Sequence, residues 1–514
     1  MLARINSYAL NGLEGYGVAV EVDIHSGLPR MEIVGLPDTA VKEARERVRA
    51  AIKNSGFDFS AHVVTVNLAP ADMRKEGPSF DLAIALGVLT ATEQAGVDSH
   101  NCPLPSLEEY VFLGELSLSG EVRKVNGVMP MLIAAREQGK KKIVIPRENA
   151  NEAKYIRGID VYAVGTLREA IALLNGAEFK PIEKSDIALC GGGHAIEDLK
   201  YVKGQYAAKR AFEIAAAGGH NVLLIGSPGG GKTMLAKCLP GILPDMTESE
   251  ALETTKIHSS AGILDPDVGI VLNRPFRSPH HTASKIALTG GGSNSHPGEI
   301  SFAHNGVLFL DELPEYPRGV LELLRQPLED GVITVSRAAR SVEYPANFML
   351  VASMNPCPCG YYGSETHECT CTPSQIQKYM SKISGPLLDR IDLHVETDEV
   401  HYDELNAQGD AESSASVRER VNKARAIQTE RYRGTDVHSN AKMTTAMIKK
   451  YCALDAAGEK ILSGAFDRLG LSARAYTRIL KVARTIADLD GKTAIQSNHV
   501  AEAVMYRSLD KAVR

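Results

Sequence analysis

Eight consecutive residues limit what this chain can fold into more than any others: Gly226-Ser227-Pro228-Gly229-Gly230-Gly231-Lys232-Thr233. They follow Val222-Leu223-Leu224-Ile225 directly, a short apolar run suited to a parallel strand buried on both faces. After them, Met234-Leu235-Ala236-Lys237-Cys238-Leu239 opens a helix. The pattern G-x-x-x-x-G-K-[ST] between a strand and a helix predicts a phosphate cradle. The glycines let backbone N–H groups wrap phosphate oxygens with no Cβ in the way, and the helix start adds partial positive charge. In such a cradle Lys232 reaches the β- and γ-phosphates and Thr233 ligates Mg²⁺.

Two further strand ends fit the same sheet. Val307-Leu308-Phe309-Leu310 runs into Asp311-Glu312. Carboxylates at the C-terminal edge of a parallel strand face the ligand crevice of an open α/β sheet. Asp311 is expected to hold Mg²⁺ through water, and Glu312 to orient and deprotonate an attacking water. Phe348-Met349-Leu350-Val351-Ala352-Ser353 leads into Met354-Asn355-Pro356, which puts Asn355 where it senses a γ-phosphate or positions that water.

The rest of the chain divides by period and composition. Residues 1–178 read as a compact α/β domain, with strands expected over 18–24, 63–68, 142–145 and 161–164 and helices over 39–54 and 80–92. Residues 179–197, with Cys190-Gly191-Gly192-Gly193-His194, read as a linker. Residues 198–400 form the nucleotide-binding α/β core. Residues 401–514 read as helical, over 416–431, 444–452, 455–469, 472–489 and 497–506.

Lys and Arg total 57 and Asp and Glu 63, a net charge of −6, so any nucleic-acid contact must come from local patches. No apolar run approaches the ~18 residues of a membrane span, and the N-terminus lacks the apolar core of a signal peptide. A cytoplasmic location is therefore expected. In that reducing setting four of the eight cysteines, Cys357, Cys359, Cys369 and Cys371, crowd together, which points to metal rather than disulfides. Two C-x-C pairs with Pro358, Gly360 and Gly363 suit a tight knuckle holding a structural Zn²⁺. A redox switch and unremarkable thiols are the other readings.

Taken with Leu387-Leu388-Asp389-Arg390-Ile391-Asp392 and Ser472-Ala473-Arg474, these motifs resemble the AAA+ ATPases of the magnesium-chelatase and MCM-helicase branch. Essentially the whole chain resembles the magnesium-chelatase-like ComM/YifB family. The stretch Arg274-Pro275-Phe276-Arg277-Ser278-Pro279-His280-His281-Thr282 is similar to one characteristic of that family, and nothing in the sequence explains its two adjacent histidines. The resemblance implies an AAA+ core, a C-terminal helical lid, and ATP with Mg²⁺ as cofactors. It implies that Arg390 is an arginine finger reaching a neighbouring subunit's nucleotide, where a guanidinium stabilises the transferring phosphoryl group. It makes Arg474 a second sensor, with Arg478 one turn on as the other candidate. Val202-Lys203-Gly204-Gln205 matches the segment near adenine, with Gly204 and Gln205 touching the nucleotide. A finger supplied in trans implies a closed ring, for which the family expectation is a homohexamer.

Lys75-Glu76-Gly77-Pro78-Ser79 resembles the serine loop of the Lon-type protease domain, and Gly114 to Val122 the segment preceding its catalytic lysine. Counting along that segment, the lysine position falls on Met131, and Lys124 lies earlier. A thioether takes no proton from a hydroxyl, so residues 1–178 are expected to be Lon-like and non-proteolytic.

Residues 331–336 and 341–344 read as hairpin strands, with Arg337 and Arg340 at the tip, where they suit phosphate contact. Lys285 opens a Gly-rich, mobile insertion that is the second candidate, whereas the basic run from Arg418 to Arg433 reads as a solvated helix. With no Trp and 5% aromatics, backbone contact without sequence readout is expected. The leading expectation is an ATP-driven hexameric ring motor on single-stranded or branched DNA. By resemblance it would promote branch migration of recombination intermediates in natural transformation, with recombination proteins as further partners and no membrane. The other readings are a chelatase-type ATPase remodelling a protein partner, and a Lon-like unfoldase or protease.

Overall fold

The computed structural model describes residues 2–28, 30–59, 62–96, 107–187, 197–292, 296–337, 340–397 and 411–507. The chain forms two units: Met1–Ala188 with Glu248–Val271 and Ser293–His296, and Leu189–Thr247 with Leu272–Gly292 and Pro297–Arg514. The expected linker residues 190–194 and the first ten residues of the expected C-terminal region lie outside the described residues.

The first unit is built on a seven-stranded mixed sheet. Its strands are β1 (Leu2–Asn11), β2 (Glu14–Ser26), β3 (Arg30–Val34), β4 (His62–Ala69), β5 (Tyr110–Phe112), β6 (Lys142–Pro146) and β7 (Asp160–Val164), in the order β3-β4-β2-β1-β5-β6-β7. β1 and β2 form a long antiparallel hairpin, Leu2 opposite Asp23 and Asn11 opposite Glu14. The sequence pattern shows only part of β2 and none of β1. Ser7 interrupts the apolar alternation of β1, yet it is fully buried because its hydroxyl donates to the Phe112 carbonyl at 2.9 Å. Helix α1 (Thr39–Asn54) matches its expected bounds: Asp38 caps it by accepting from the Val41 amide at 2.8 Å, and Val41, Ala44, Val48, Ala51 and Ile52 make its buried face. Helix α2 (Asp81–Ala91) is buried almost all round. Helix α3 (Val128–Glu137) carries Met131 into an apolar cluster with Leu132, Ile143 and Val161.

Helix α4 (Glu248–Ser260) departs from the linear reading, which kept 198–400 together. Its Leu252 packs on the α3 cluster, and the Gly127 amide donates to the Ser259 carbonyl at 2.9 Å. The buried Glu152 carboxylate accepts from the Ser259 hydroxyl at 2.6 Å, the Asn149 amide at 2.8 Å and the Met129 backbone at 3.2 Å. These bonds place Glu248–Val271 in the first unit.

The second unit holds a parallel five-stranded sheet of β8 (Val222–Ile225), β9 (Phe276–Arg277), β10 (Val307–Leu310), β13 (Met349–Met354) and β14 (Leu393–Glu396), in the order β9-β10-β13-β8-β14. A separate antiparallel hairpin of β11 (Val332–Arg337) and β12 (Arg340–Pro345) pairs Arg337 with Arg340. Helix α5 (Tyr206–Gly218) and the C-terminal helices share one apolar core with the sheet. Those helices are Ser414–Arg431, Thr445–Tyr451, Ala456–Leu469, Ala473–Leu489 and Ser497–Met505. Ser413, Thr444, Asp455 and Ser472 cap the first four, so the 3.6-residue period and the cap residues locate them to within two residues. The fold is thus α/β, with a P-loop core of AAA+ type and a C-terminal helical region. No helix among the described residues is long and apolar enough to cross a membrane.

Ser259→Ala leaves the buried Glu152 carboxylate one donor short, which should cost about 1–3 kcal/mol. Hydrogen exchange should show α3 and α4 opening faster together. Faster exchange in α4 alone would contradict their cooperation.

Candidate functional site

Three adjacent parallel strands, β10, β13 and β8, end at one edge of the second sheet. That edge brings the cradle, Asp311-Glu312 and Asn355 together. Lys232 is 9% exposed, and its ammonium donates to the carbonyls of Gly226 at 2.6 Å and Ser227 at 2.9 Å and to Asn355 Oδ1 at 3.1 Å. Burial pulls its pKa down, and the charges of Asp311 and Glu312 oppose that pull. Thr233 Oγ1 donates to Asp311 Oδ2 at 2.8 Å, and the Ser353 hydroxyl donates to the other carboxylate oxygen. A hydroxyl and a carboxylate side by side supply the hard oxygen ligands Mg²⁺ requires, and the lysine beside them supplies positive charge for phosphate. Gly226 is the position where the cradle tolerates no side chain: a Cβ there would lie 2.0 Å from Thr397 Oγ1.

Glu312 sits in left-handed backbone at φ 52° with its side chain largely exposed. His281 Nδ1 lies 3.5 Å from Glu312 Oε2, and the His280 and His281 rings are 4.1 Å apart. Tyr316 donates to the Pro279 carbonyl at 2.6 Å and anchors that loop. The paired histidines therefore border the expected water-activating carboxylate. Arg274 is spent on the carbonyls of Pro244 and Asn305, and Arg277 forms a bidentate pair with Glu299. Ser353 and Thr397 carry no motif, so the sequence offered no signal for them beyond their place at strand ends.

A cavity of about 460 Å³ runs from Ser227–Gly231 to Val202, Lys203 and Gln205, and the Gln205 amide donates to the Gly230 carbonyl at 3.2 Å. This is the flank expected to hold adenine, with Gly204 in its turn at φ 60°.

The four cysteines converge. Their sulfurs lie within 4.8 Å of one another, with Cys357–Cys359 at 3.3 Å, Cys359–Cys369 at 3.6 Å and Cys357–Cys369 at 3.7 Å. A tetrahedral zinc with Zn–S bonds of about 2.3 Å needs sulfurs about 3.8 Å apart, so the set fits the metal. The Tyr361 backbone N–H bonds to Cys359 and, with Cys357, draws its thiol down to about 6.

The arginines lie elsewhere. Asn221, Phe348 and Asp392 stand at the N-terminal ends of β8, β13 and β14, and with Arg390, Arg474 and Arg478 they border a cavity of about 170 Å³. Arg390 is 5% exposed, ion-paired with Glu329 and bonded to the Pro386 carbonyl. Arg478 donates to the Arg390 carbonyl at 3.0 Å and pairs with Asp392, whereas Arg474 is exposed. Burial raises the Asp392 carboxyl, but Arg478 and His220 outweigh it and hold the group well below the usual carboxylate range. Because the strands run parallel, this is the edge opposite the cradle, about 13 Å away along a four-residue strand.

Of the expected DNA-contacting residues, the backbones of Arg337 and Arg340 pair at the end of the hairpin; their side chains and the Ala338-Ala339 tip lie outside the described residues. Lys285 is exposed at the start of the short helix Lys285–Thr289, which occupies part of the insertion expected to be mobile. In the first unit Lys75 is fully buried, its amine given to the carbonyls of Pro70 and Met73. Among the described residues no hydrogen bond joins the Ser79 hydroxyl to a lysine, and Lys124 is exposed.

The profile of magnesium chelatase subunit ChlI matches residues 198–405, a second ChlI profile matches 20–149, and the ChlI C-terminal profile matches 411–507. Over 514 residues the chain is 46% identical to Competence protein ComM of Haemophilus influenzae, covering 99% of this chain and 98% of that one. It is 44% identical over 512 residues to the uncharacterized protein YifB of Escherichia coli, again 99% of this chain and 98% of the other. Lon protease 2 of Bacillus subtilis is 28% identical over 185 residues, 32% of each chain.

Ser353→Ala removes a donor that orients Asp311, so the Mg²⁺ concentration for half-maximal ATP turnover should rise about tenfold. An unchanged Mg²⁺ dependence would refute that role. Protein purified under reducing, chelator-free conditions should carry about one zinc per chain by elemental analysis, and well under one would remove the zinc assignment.

Proposed function

The chain belongs to the magnesium-chelatase-like ComM/YifB family of AAA+ ATPases, and from that premise we propose that it is an ATP-hydrolysing ring motor acting on DNA. The observation that carries the ATP-hydrolysing part of the reading is the convergence of Lys232, Thr233, Asp311 and Asn355 at one sheet edge; the ring and the DNA come from the family resemblance. In this reading Lys232 neutralises the β- and γ-phosphates, and Thr233 and Asp311 hold Mg²⁺. Glu312 takes the proton of the attacking water, with His281 beside it.

Arg390 and Arg474 lie at the opposite edge of their own sheet, so either arginine acts on a nucleotide only by meeting a neighbouring subunit's cradle. That favours a closed ring, for which the family resemblance implies a homohexamer. It also requires Arg390 to leave Glu329 when subunits meet, which would make the Arg390–Glu329 pair a resting contact. The β11–β12 hairpin, with Arg337 and Arg340, follows the DNA backbone, and Lys285 adds a second contact. The name of the Haemophilus relative, a competence protein, supports placing the motor in natural transformation, on branched recombination intermediates in the cytoplasm. The zinc knuckle is structural in this scheme, and the Lon-like unit is non-proteolytic.

The experiment is ATP-driven dissociation of a labelled three- or four-strand DNA junction. Wild type should move the junction, and Lys232→Ala and Glu312→Gln should each lower turnover by about 10²–10⁴-fold. Replacing both Arg337 and Arg340 with Ala should weaken DNA binding and its stimulation of ATP turnover. An ATPase that no DNA stimulates and that moves no junction would shift the reading to remodelling of a protein partner.

A further inference from the structure

The cysteine knuckle makes part of the wall of the cavity that Ser227–Gly231, Val202, Lys203 and Gln205 also line. Tyr361, Thr366 and His367, all between the two cysteine pairs, border the same cavity as Ser227–Gly231. The Tyr361 and His367 rings are stacked, with centroids 4.7 Å apart and planes 24° from parallel. His367 is no member of the four-sulfur set; its Nδ1 pairs with the Thr366 hydroxyl at 2.8 Å. The knuckle is also seated on the cradle itself. Gly360, at φ 91°, lies so close to Pro228 that a Cβ would come within 2.6 Å of its ring.

We propose that the Tyr361–His367 stack is a nucleoside-binding wall of the ATP site, held in place by the metal knuckle, so that metal occupancy sets nucleotide affinity. The proposal rests on the reading of the cradle as an ATP site. The occupant follows from continuity. A triphosphate lying along Ser227–Gly231 leaves its ribose and base in the rest of the same cavity, which these two rings line together with Val202, Lys203 and Gln205. A phenol and an imidazole offer a π-face for a purine and polar edges for a ribose. Between Cys359 and Cys369 the knuckle is a turn-rich loop held by short-range bonds such as the Ser364 N–H to the Tyr361 carbonyl at 3.1 Å, and the clustered sulfurs bring its two ends together.

The test is calorimetric binding of MgATP and of magnesium tripolyphosphate to the full-length protein, with zinc content measured on each sample. Tyr361→Ala and His367→Ala should each weaken ATP about tenfold and leave tripolyphosphate unchanged. Tyr361→Phe should retain most of the ATP affinity. Removing zinc with a chelator should weaken ATP more than tripolyphosphate, and added zinc should restore it. If Tyr361→Ala loses zinc, His367→Ala, whose side chain is exposed and binds no sulfur, decides the matter. Wild-type ATP affinity in His367→Ala overturns the proposal. Equal losses for ATP and tripolyphosphate also overturn it, because the pair would then only brace the cradle. A wild type that binds tripolyphosphate as tightly as ATP overturns this inference alone. One that binds neither overturns the ATP-site reading, and this inference with it.

Discussion

A buried ammonium must find an acceptor for each proton, and Lys232 finds them on two strands at once. Its own loop supplies the carbonyls of Gly226 and Ser227, and the next strand in the sheet supplies Asn355. Asp311 on the strand beyond does the reverse, collecting hydroxyls from Thr233 and Ser353. These bonds stitch β8, β13 and β10 at one edge, and they form only because the order β10-β13-β8 makes the three strands neighbours. The charges that a magnesium–triphosphate complex requires are thus already arranged and hydrogen-bonded by the fold.

The parallel sheet also separates two kinds of charge. Its C-terminal edge carries the cradle, while its N-terminal edge gathers Arg390, Arg474 and Arg478 around Asp392 and Glu329. A single chain cannot bring the two edges together. In the proposed ring they meet across each subunit boundary, and hydrolysis at one site is then mechanically tied to the next subunit.

Glu248–Val271 leaves the second unit's chain segment to join the first unit, and Glu152 is the centre that receives it. The cysteine knuckle works over a shorter range, resting on Pro228 through Gly360, whose lack of a Cβ permits the contact. Both are small departures from a linear plan. Each joins an insertion to a rigid element through a contact that a larger or less polar residue would break.

Period and motif were enough to locate the P-loop, the carboxylates after β10 and Asn355 at strand ends, the helix bounds after residue 413 and the clustering of the four cysteines. These features are local: a cap residue, an i to i+4 face or a strand running into a turn is written in consecutive residues. Strand β1 escaped because Ser7 breaks its alternation and is paid for by a carbonyl far along the chain. Ser353, Thr397 and the placement of His281 beside Glu312 escaped because their partners are distant in sequence and their residue types are ordinary. The sequence by itself determined that a P-loop, a four-cysteine knuckle and a helical C-terminal region exist. Only the tertiary structure decided which edge of the sheet each charge occupies, since strand order, not composition, sets which loops are neighbours.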